Sequence, residues 1–226
     1  MKNIIYICTF LITISAIAQT TSSVELEKQK LKQAFTYSDN AVAINAMYTI
    51  IALEGPASTY KDSLAYLYFN NRKYVSCFLV TNDILKKKPN NNELLEMSAV
   101  SLESMGVLDK SIEAYSNLLE KTNNSYHAYK IAGLQLAIKK YDAALVSIKK
   151  ANELPDIENM TVTFQVNKNY NQNVRLKAAI AYLQGLIELS MEKNTEAKTS
   201  FERAVVLFPE FVLAKSKLTT LEAEKE

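Results

Sequence analysis

The chain has 226 residues, with 26 Lys and Arg against 24 Asp and Glu, a formal charge of +2. That near balance gives no electrostatic case for nucleic-acid binding, which needs a basic face. Four Gly and four Pro predict helices with few special turns, and one His with two Cys is too few for a His/Cys metal site.

The first residues read MKNIIYICTFLITISAIAQTT. Lys2, the apolar run Ile4 to Ala18 and the Ala16-Ile17-Ala18 signal predict a secretory signal peptide over 1–18, cleaved before Gln19. The apolar run is about 15 residues, short of the roughly 20 that a membrane span needs. An uncleaved anchor is the competing reading. No later run approaches that length, so no stable membrane insertion of the mature chain is expected. Cys8 lies within the run and not directly after the cleavage site, which excludes a lipid anchor there. Cleavage leaves Cys77 alone, so an exported chain has no internal disulfide and depends on packing. The expected location is the periplasm or the extracellular space. The mature chain is long enough for one elongated helical domain.

Residues 19–57 are predicted to form an N-terminal capping helix pair. Leu31 and Phe35 sit on one helical segment; Ala41, Ile44, Tyr48 and Ile51 sit on the next, closed by Gly55-Pro56.

From residue 58 a pattern recurs. A small residue stands early in a helical segment at Ala65, Ala99, Ala132 and Gly185. Twelve residues later comes a second small residue, at Cys77, Ser111, Ala144 and Ala197. Seven further on stand Ile84, Leu118, Ala151 and Ala204, and five after those the turn formers Pro89, Asn123, Asp156 and Pro209. Every column steps by 34, 33 and 53 residues, the last being 34 plus an insertion of 19. A period of this size predicts stacked helix pairs, in repeats 58–91, 92–124, 125–158 and 178–211.

In 58–91 the apolar stripe Leu64, Ala65, Leu67 and Tyr68 precedes the turn Asn70-Asn71-Arg72-Lys73, and Cys77, Phe78, Ile84 and Leu85 form the inner face of the second helix. Lys86, Lys87 and Lys88 suit the negative end of its dipole, and Pro89 stops it. In 92–124, Gly106 makes the turn and Ile112, Tyr115, Leu118 and Leu119 face inward. In 125–158 the inward set is Tyr141, Ala144, Leu145, Ile148 and Ala151; in 178–211 it is Leu183, Gly185, Ala197, Phe201, Ala204, Val205 and Leu207. The small columns mark where helices cross closely, and a large residue there costs about 1–3 kcal/mol.

The insertion 159–177 interrupts the period. Thr161 to Asn167 alternates polar and apolar residues like a strand, and Asn169 to Asn173 reads as a loop. It either covers an apolar edge with Val162, Phe164 and Val166, or forms an arm that touches a partner or pairs with an extended peptide. Residues 212–226 read as a C-terminal capping helix, with Leu213, Leu218 and Leu221 packed on the last pair.

This pattern resembles the tetratricopeptide repeat (TPR). Leu64-Ala65, Tyr68, Tyr74 and Pro89 carry the resemblance in one unit; Gly185, Glu196-Ala197-Lys198, Phe201, Ala204 and Pro209 carry it in the last. It spans 58–211, although the family's large aromatic near the start of the first helix is missing and the chain has no Trp. The resemblance implies an all-α, right-handed superhelical solenoid of antiparallel helix pairs, with the first helices lining a concave groove. In that register the groove residues are Asp62, Tyr66, Phe69, Glu93, Glu96, Val100, Glu103, Tyr126, Tyr129, Lys130, Gly133, Ala179, Tyr182, Leu186 and Leu189. The expected partner-binding set is Tyr66, Phe69, Glu96, Glu103, Tyr126, Tyr129, Lys130, Tyr182 and Leu186: an aromatic surface with an acidic patch. The competing reading packs several of these tyrosines against neighbouring helices or the insertion. Some family members hold a peptide's C-terminal carboxylate with Lys, Asn and Arg in the groove. The matching places here are Asp62, Tyr66, Met97, Tyr126 and Lys130, of which Lys130 alone fits, so that mode is not expected.

Signals for catalysis are absent from the sequence. Gly55, Gly106, Gly133 and Gly185 form no phosphate-cradling loop. His127 has no second ligand at helical spacing and, near the start of a predicted helix, is expected at the surface or in the groove. Cys77 occupies a small-residue column and is expected to be a buried packing group. Glu93, Glu96 and Glu103 are expected on a solvated helix face. The chain is therefore read as a non-enzymatic interaction module with no cofactor, binding a protein or peptide segment. The alternative is a self-associating structural module of the cell envelope, a homo-oligomer.

Overall fold

The computed structural model describes residues 23–223. The expected signal peptide and its cleavage point lie outside them. The chain divides into two compact units, the boundary falling between Ser101 and Leu102.

Unit 1 begins with helix α1 (23–36) and α2 (Asn40–Glu54). Asp39 starts α2 by accepting from the backbone N–H groups of Ala41 (3.1 Å) and Val42 (3.0 Å), two of the donors that a helix N-terminus leaves unpaired. Gly55, at φ 83°, ends it. The first repeat supplies α3 (Tyr60–Asn70) and α4 (Tyr74–Leu85), and α5 (Asn92–Ser104) begins the second. The core joins Ala43, Ala46, Met47 and Ile50 of α2 to Leu64, Ala65 and Tyr68 of α3, with Cys77 and Ile84 of α4. The buried face of α2 is Ala43, Ala46, Met47 and Ile50, whereas Ala41 and Tyr48 are exposed, as is Phe35 of α1. The segment NAVAINAMYTIIALE is apolar nearly all round, so periodicity alone gives its buried stripe no preferred phase.

Unit 2 takes in the end of α5 and then α6 (Leu108–Thr122), α7 (Ser125–Ala137) and α8 (Tyr141–Glu153). Asn123 closes α6 in the left-handed conformation at φ 48°, and the Asn124 side chain opens α7 by accepting from Tyr126 N–H at 2.8 Å. Strands β1 (Thr161–Asn167) and β2 (Tyr170–Arg175) follow, then α9 (Leu176–Ser190), α10 (Asn194–Leu207) and α11 (Val212–Ala223). α7 packs on α8, α9 on both α8 and α10, and α11 on α10.

The residues of the small columns, together with Ile84, Leu118, Ala151 and Ala204, are all buried, and the turn column lies outside the core. Two further regularities emerge. A residue with positive φ stands between the paired helices at Arg72, Gly106, Lys139 and Glu192, the same 34, 33 and 53 steps. Only one of the four is Gly, which hides the column in the sequence. In the last two pairs a first-helix carboxamide or carboxylate accepts a hydrogen bond from a serine hydroxyl of the second helix. Ser147 donates to Gln135 Oε1 at 2.7 Å, and Ser200 donates to Glu188 Oε2 at 2.6 Å.

The insertion is an antiparallel hairpin, pairing Thr161 with Arg175, Thr163 with Asn173 and Gln165 with Asn171, with an irregularity between Gln165 and Asn167. The segment expected as a loop is thus largely strand β2. Its Asn and Gln side chains hide the alternation, yet Gln172 and Val174 are turned inward and buried. Leu207, expected to face inward, is 42% exposed, because α10 reaches its end there and the chain turns at Phe208-Pro209.

Candidate functional site

Two open depressions contain most of the expected contact residues. In unit 1, α3 and α5 place Tyr66, Phe69, Glu93, Glu96, Met97 and Val100 around a volume of about 350 Å³. Tyr66 and Phe69 are three apart on α3 and so share a face. Tyr66 is 40% exposed and its hydroxyl donates to Glu93 Oε2. That bond, with some burial and the nearby Glu93 and Asp62 charges, raises the phenol pKa. Asp62 is engaged elsewhere, by Lys88 at 2.7 Å. Phe69 stands edge-on to Tyr74, with ring centroids 6.3 Å apart.

In unit 2, Glu103, Leu108, Tyr129, Lys130, Gly133, Leu134, Ala137 and Leu183 line another volume of about 350 Å³. Tyr126 and Tyr129, again three apart, stack with centroids at 6.4 Å. Lys130 Nζ donates to Glu103 Oε1 at 2.7 Å and stands 5.8 Å from the Tyr115 ring centroid. Glu103 Oε2 is buried and has no hydrogen-bond partner among the described residues. Burial, then the Tyr126, Glu103 and Tyr182 groups, raise the Tyr129 phenol pKa, so it is a neutral donor at physiological pH. Lys130, the single residue that fits a carboxylate-binding set, already has a carboxylate partner.

Three expectations are corrected. Tyr182 is 6% exposed, packed among Phe164 (5.6 Å), Phe201 (5.6 Å) and Phe211 (4.9 Å), because the hairpin and the start of α11 cover α9. It leaves the contact set and belongs to the core. Leu186 packs partly buried against the same cluster, and Ala179 is fully buried. His127 is 4% exposed instead of facing the surface or a groove. Its Nδ1 lies 3.0 Å from Thr122 Oγ1 and its ring packs near Tyr115 and Tyr126; burial lowers its pKa. The sequence holds a cue, since Tyr115 lies in an inward column that needs packing partners. Cys77 is free and fully buried, and burial raises its thiol pKa, which leaves it unreactive.

Among the described residues no group of three or more His, Cys, Asp or Glu is placed to hold a metal ion, and no helix is long and apolar enough to cross a membrane.

No family model matches the sequence, and no curated protein matches it. Solved structures do. YrrB, described as a TPR protein with an unusual peptide-binding site, superposes with a TM-score of 0.62 at 15% identity, covering 92% of this chain and 98% of that one. Residues 41 to the end of MamA from Desulfovibrio magneticus RS-1 give a TM-score of 0.62 at 10% identity, over 84% of this chain and 97% of that one. TTC0263, a thermophilic TPR protein of Thermus thermophilus, gives 0.51 at 12% identity, over 90% and 99%. The fold is that of the TPR proteins, all-α helix pairs in a repeated array, here interrupted by one β-hairpin.

Proposed function

We propose that this chain is a protein-interaction module that holds an extended segment of another protein against its tyrosine-lined depressions, and that it works outside the cytoplasm after export. One observation carries the reading: Tyr129 and the Glu103–Lys130 pair line an open depression on first-helix faces, with Tyr126 stacked on Tyr129. Tyrosines give a partner large contact area at low entropic cost. Glu103 Oε2 is an unsatisfied acceptor next to them, and Glu93 and Glu96 add acid to the unit 1 depression. The partner chemistry that matches is a neutral or basic segment with hydrogen-bond donors. The likeness to YrrB, with its peptide-binding site, supports the same use of the fold. The apolar run over 4–18 and its A-x-A signal support export to the periplasm or beyond. The sequence carries no catalytic motif, and the module is read as non-enzymatic.

The test is affinity purification from the native cell envelope with carboxy-terminally tagged protein, comparing wild type with Tyr66→Ala plus Tyr126→Ala. Loss of a specific partner is expected, with the fold retained in circular dichroism melts. Recovery of the same partners in the same amounts would remove the depressions from the function. A second reading, self-association within the envelope, is favoured by a different observation, the open edge of the hairpin.

A further inference from the structure

The two strands of the hairpin are not equivalent. On β2 the inward residues Gln172 and Val174 are buried, and the Gln172 amide both donates to the Glu210 carbonyl and accepts from Val212 N–H. On β1 the inward residues Val162, Phe164 and Val166 are only half-buried. β1 is the outer strand.

Its main chain has an unused side. Leu176 N–H donates to the Met160 carbonyl at 2.9 Å, next to the pair Thr161–Arg175. That bond fixes the phase of the ladder. Val162 and Phe164 exchange bonds with β2, and the N–H and C=O groups of Thr161, Thr163 and Gln165 point away from it. No other described residue hydrogen-bonds those groups. Strand edges in natural proteins are usually blunted with Lys, Pro or charge. β1, with the sequence TVTFQVN, has none of these, and its irregularity lies at the far end, after Gln165.

We propose that the free edge of β1 pairs antiparallel with β1 of a second copy of this chain, making a four-stranded sheet in the order β2–β1–β1–β2. The strand's own sequence selects a copy as the occupant. Pairing all three outward residues, Thr161, Thr163 and Gln165, centres the two-fold axis on Thr163, so Thr163 faces Thr163 of the second copy and Thr161 faces its Gln165. On the inner face Val162 then falls opposite Phe164 of the second copy, and Phe164 opposite its Val162. The half-exposed flanks are covered by two aromatic–β-branched pairs, and no like charges meet. This proposal rests on the self-association reading and not on the depressions: the contact is main chain of β1, so Tyr66→Ala plus Tyr126→Ala leaves it intact.

Sedimentation of the purified protein over a range of concentrations tests it, with wild type beside Thr163→Lys, Thr163→Glu and Thr163→Pro. Thr163 is exposed and its N–H points outward; all three substitutions equally remove the bond that its hydroxyl donates to Asn173 Oδ1 at 2.7 Å, so circular dichroism melts verify the fold. Wild type is expected to dimerise reversibly. Thr163→Lys and Thr163→Glu each weaken the dimer at least about tenfold, and mixing those two restores it, since opposite charges then meet at the axis. Thr163→Pro removes an edge donor and weakens the dimer without rescue by either. A monomeric wild type overturns the proposal, as does a dimer that survives both Thr163→Lys and Thr163→Pro, or one that mixing fails to restore.

Discussion

α7 and α9 are the first helices of successive pairs, 53 residues apart in register, and they meet opposite fates. Tyr129 and Tyr182 occupy the same column. Tyr129 lines an open depression, whereas Tyr182 is closed in by Phe164, Phe201 and Phe211. The difference is the hairpin, which enters directly before α9 and lays Phe164 and Val174 over it. One repeat pattern therefore leaves a half-buried tyrosine at the wall of a depression in one pair and a core tyrosine in the next. An insertion can convert a wall of a binding surface into packing without altering the column residues.

Substitutions at matched positions put this contrast at risk. The largest difference is expected at the tyrosines. Tyr182→Ala empties an aromatic cluster and should cost about 3–5 kcal/mol, against about 1–2 kcal/mol for Tyr129→Ala, read from urea unfolding midpoints. Equal losses would show that the hairpin does not shield α9. The repeat register alone predicts that Tyr129 and Tyr182 can be replaced together without unfolding, and the packing of Tyr182 overturns that.

The glycines of the two helices give a smaller effect with opposite signs. A Cβ on Gly185 would stand 2.6 Å from Phe201 Cε1, so Gly185→Ala should destabilise by about 1–3 kcal/mol. A Cβ on Gly133 meets only Leu183 Cδ2 at 3.8 Å. Gly133→Ala should then stabilise by about 0.5–1 kcal/mol, because alanine costs less entropy in a helix interior. Paired thermal melts decide; two changes of the same sign would contradict the stated packing.

The smallest effect is titration. His127 on α7 corresponds in register to Ile180 on α9, and both are buried. Burial depresses the imidazole pKa below 6.5, so the fold prefers the neutral ring. The stability this contributes is present above 6.5 and is lost as pH falls from there through the lowered folded value. Unfolding midpoints compared at about pH 7.5 and about pH 5 should show the loss in wild type and its flattening in His127→Gln. An unchanged slope would mean that the ring is already protonated or accessible.

The repeat columns are legible because close helix crossings tolerate few side chains: Ala65, Ala99, Ala132 and Gly185 are constrained by geometry and all end buried. Positions constrained by phase alone are not. α2 is apolar nearly all round, so its pattern does not say which face is buried, and Ala41 and Tyr48 lie outside. The positive-φ turn at Arg72, Lys139 and Glu192 carries no signal, since those side chains are ordinary polar residues in a short turn. At the candidate site, spacing on one helix places Tyr66 with Phe69 and Tyr126 with Tyr129. The bonds of Tyr66 with Glu93 and Lys130 with Glu103, each 27 residues apart, require the helices to be brought together.

The sequence by itself determined the period, the helix pairs and their crossing points, because small residues and turn formers act locally and recur. Tertiary structure decided which tyrosines remain available, which carboxylates are already engaged and which strand edge is open. Each of those depends on what the insertion covers, and coverage is a property of segments far apart in the chain. Thr163 shows the limit: its side chain reads as an ordinary strand residue, and only the ladder phase turns its main chain outward.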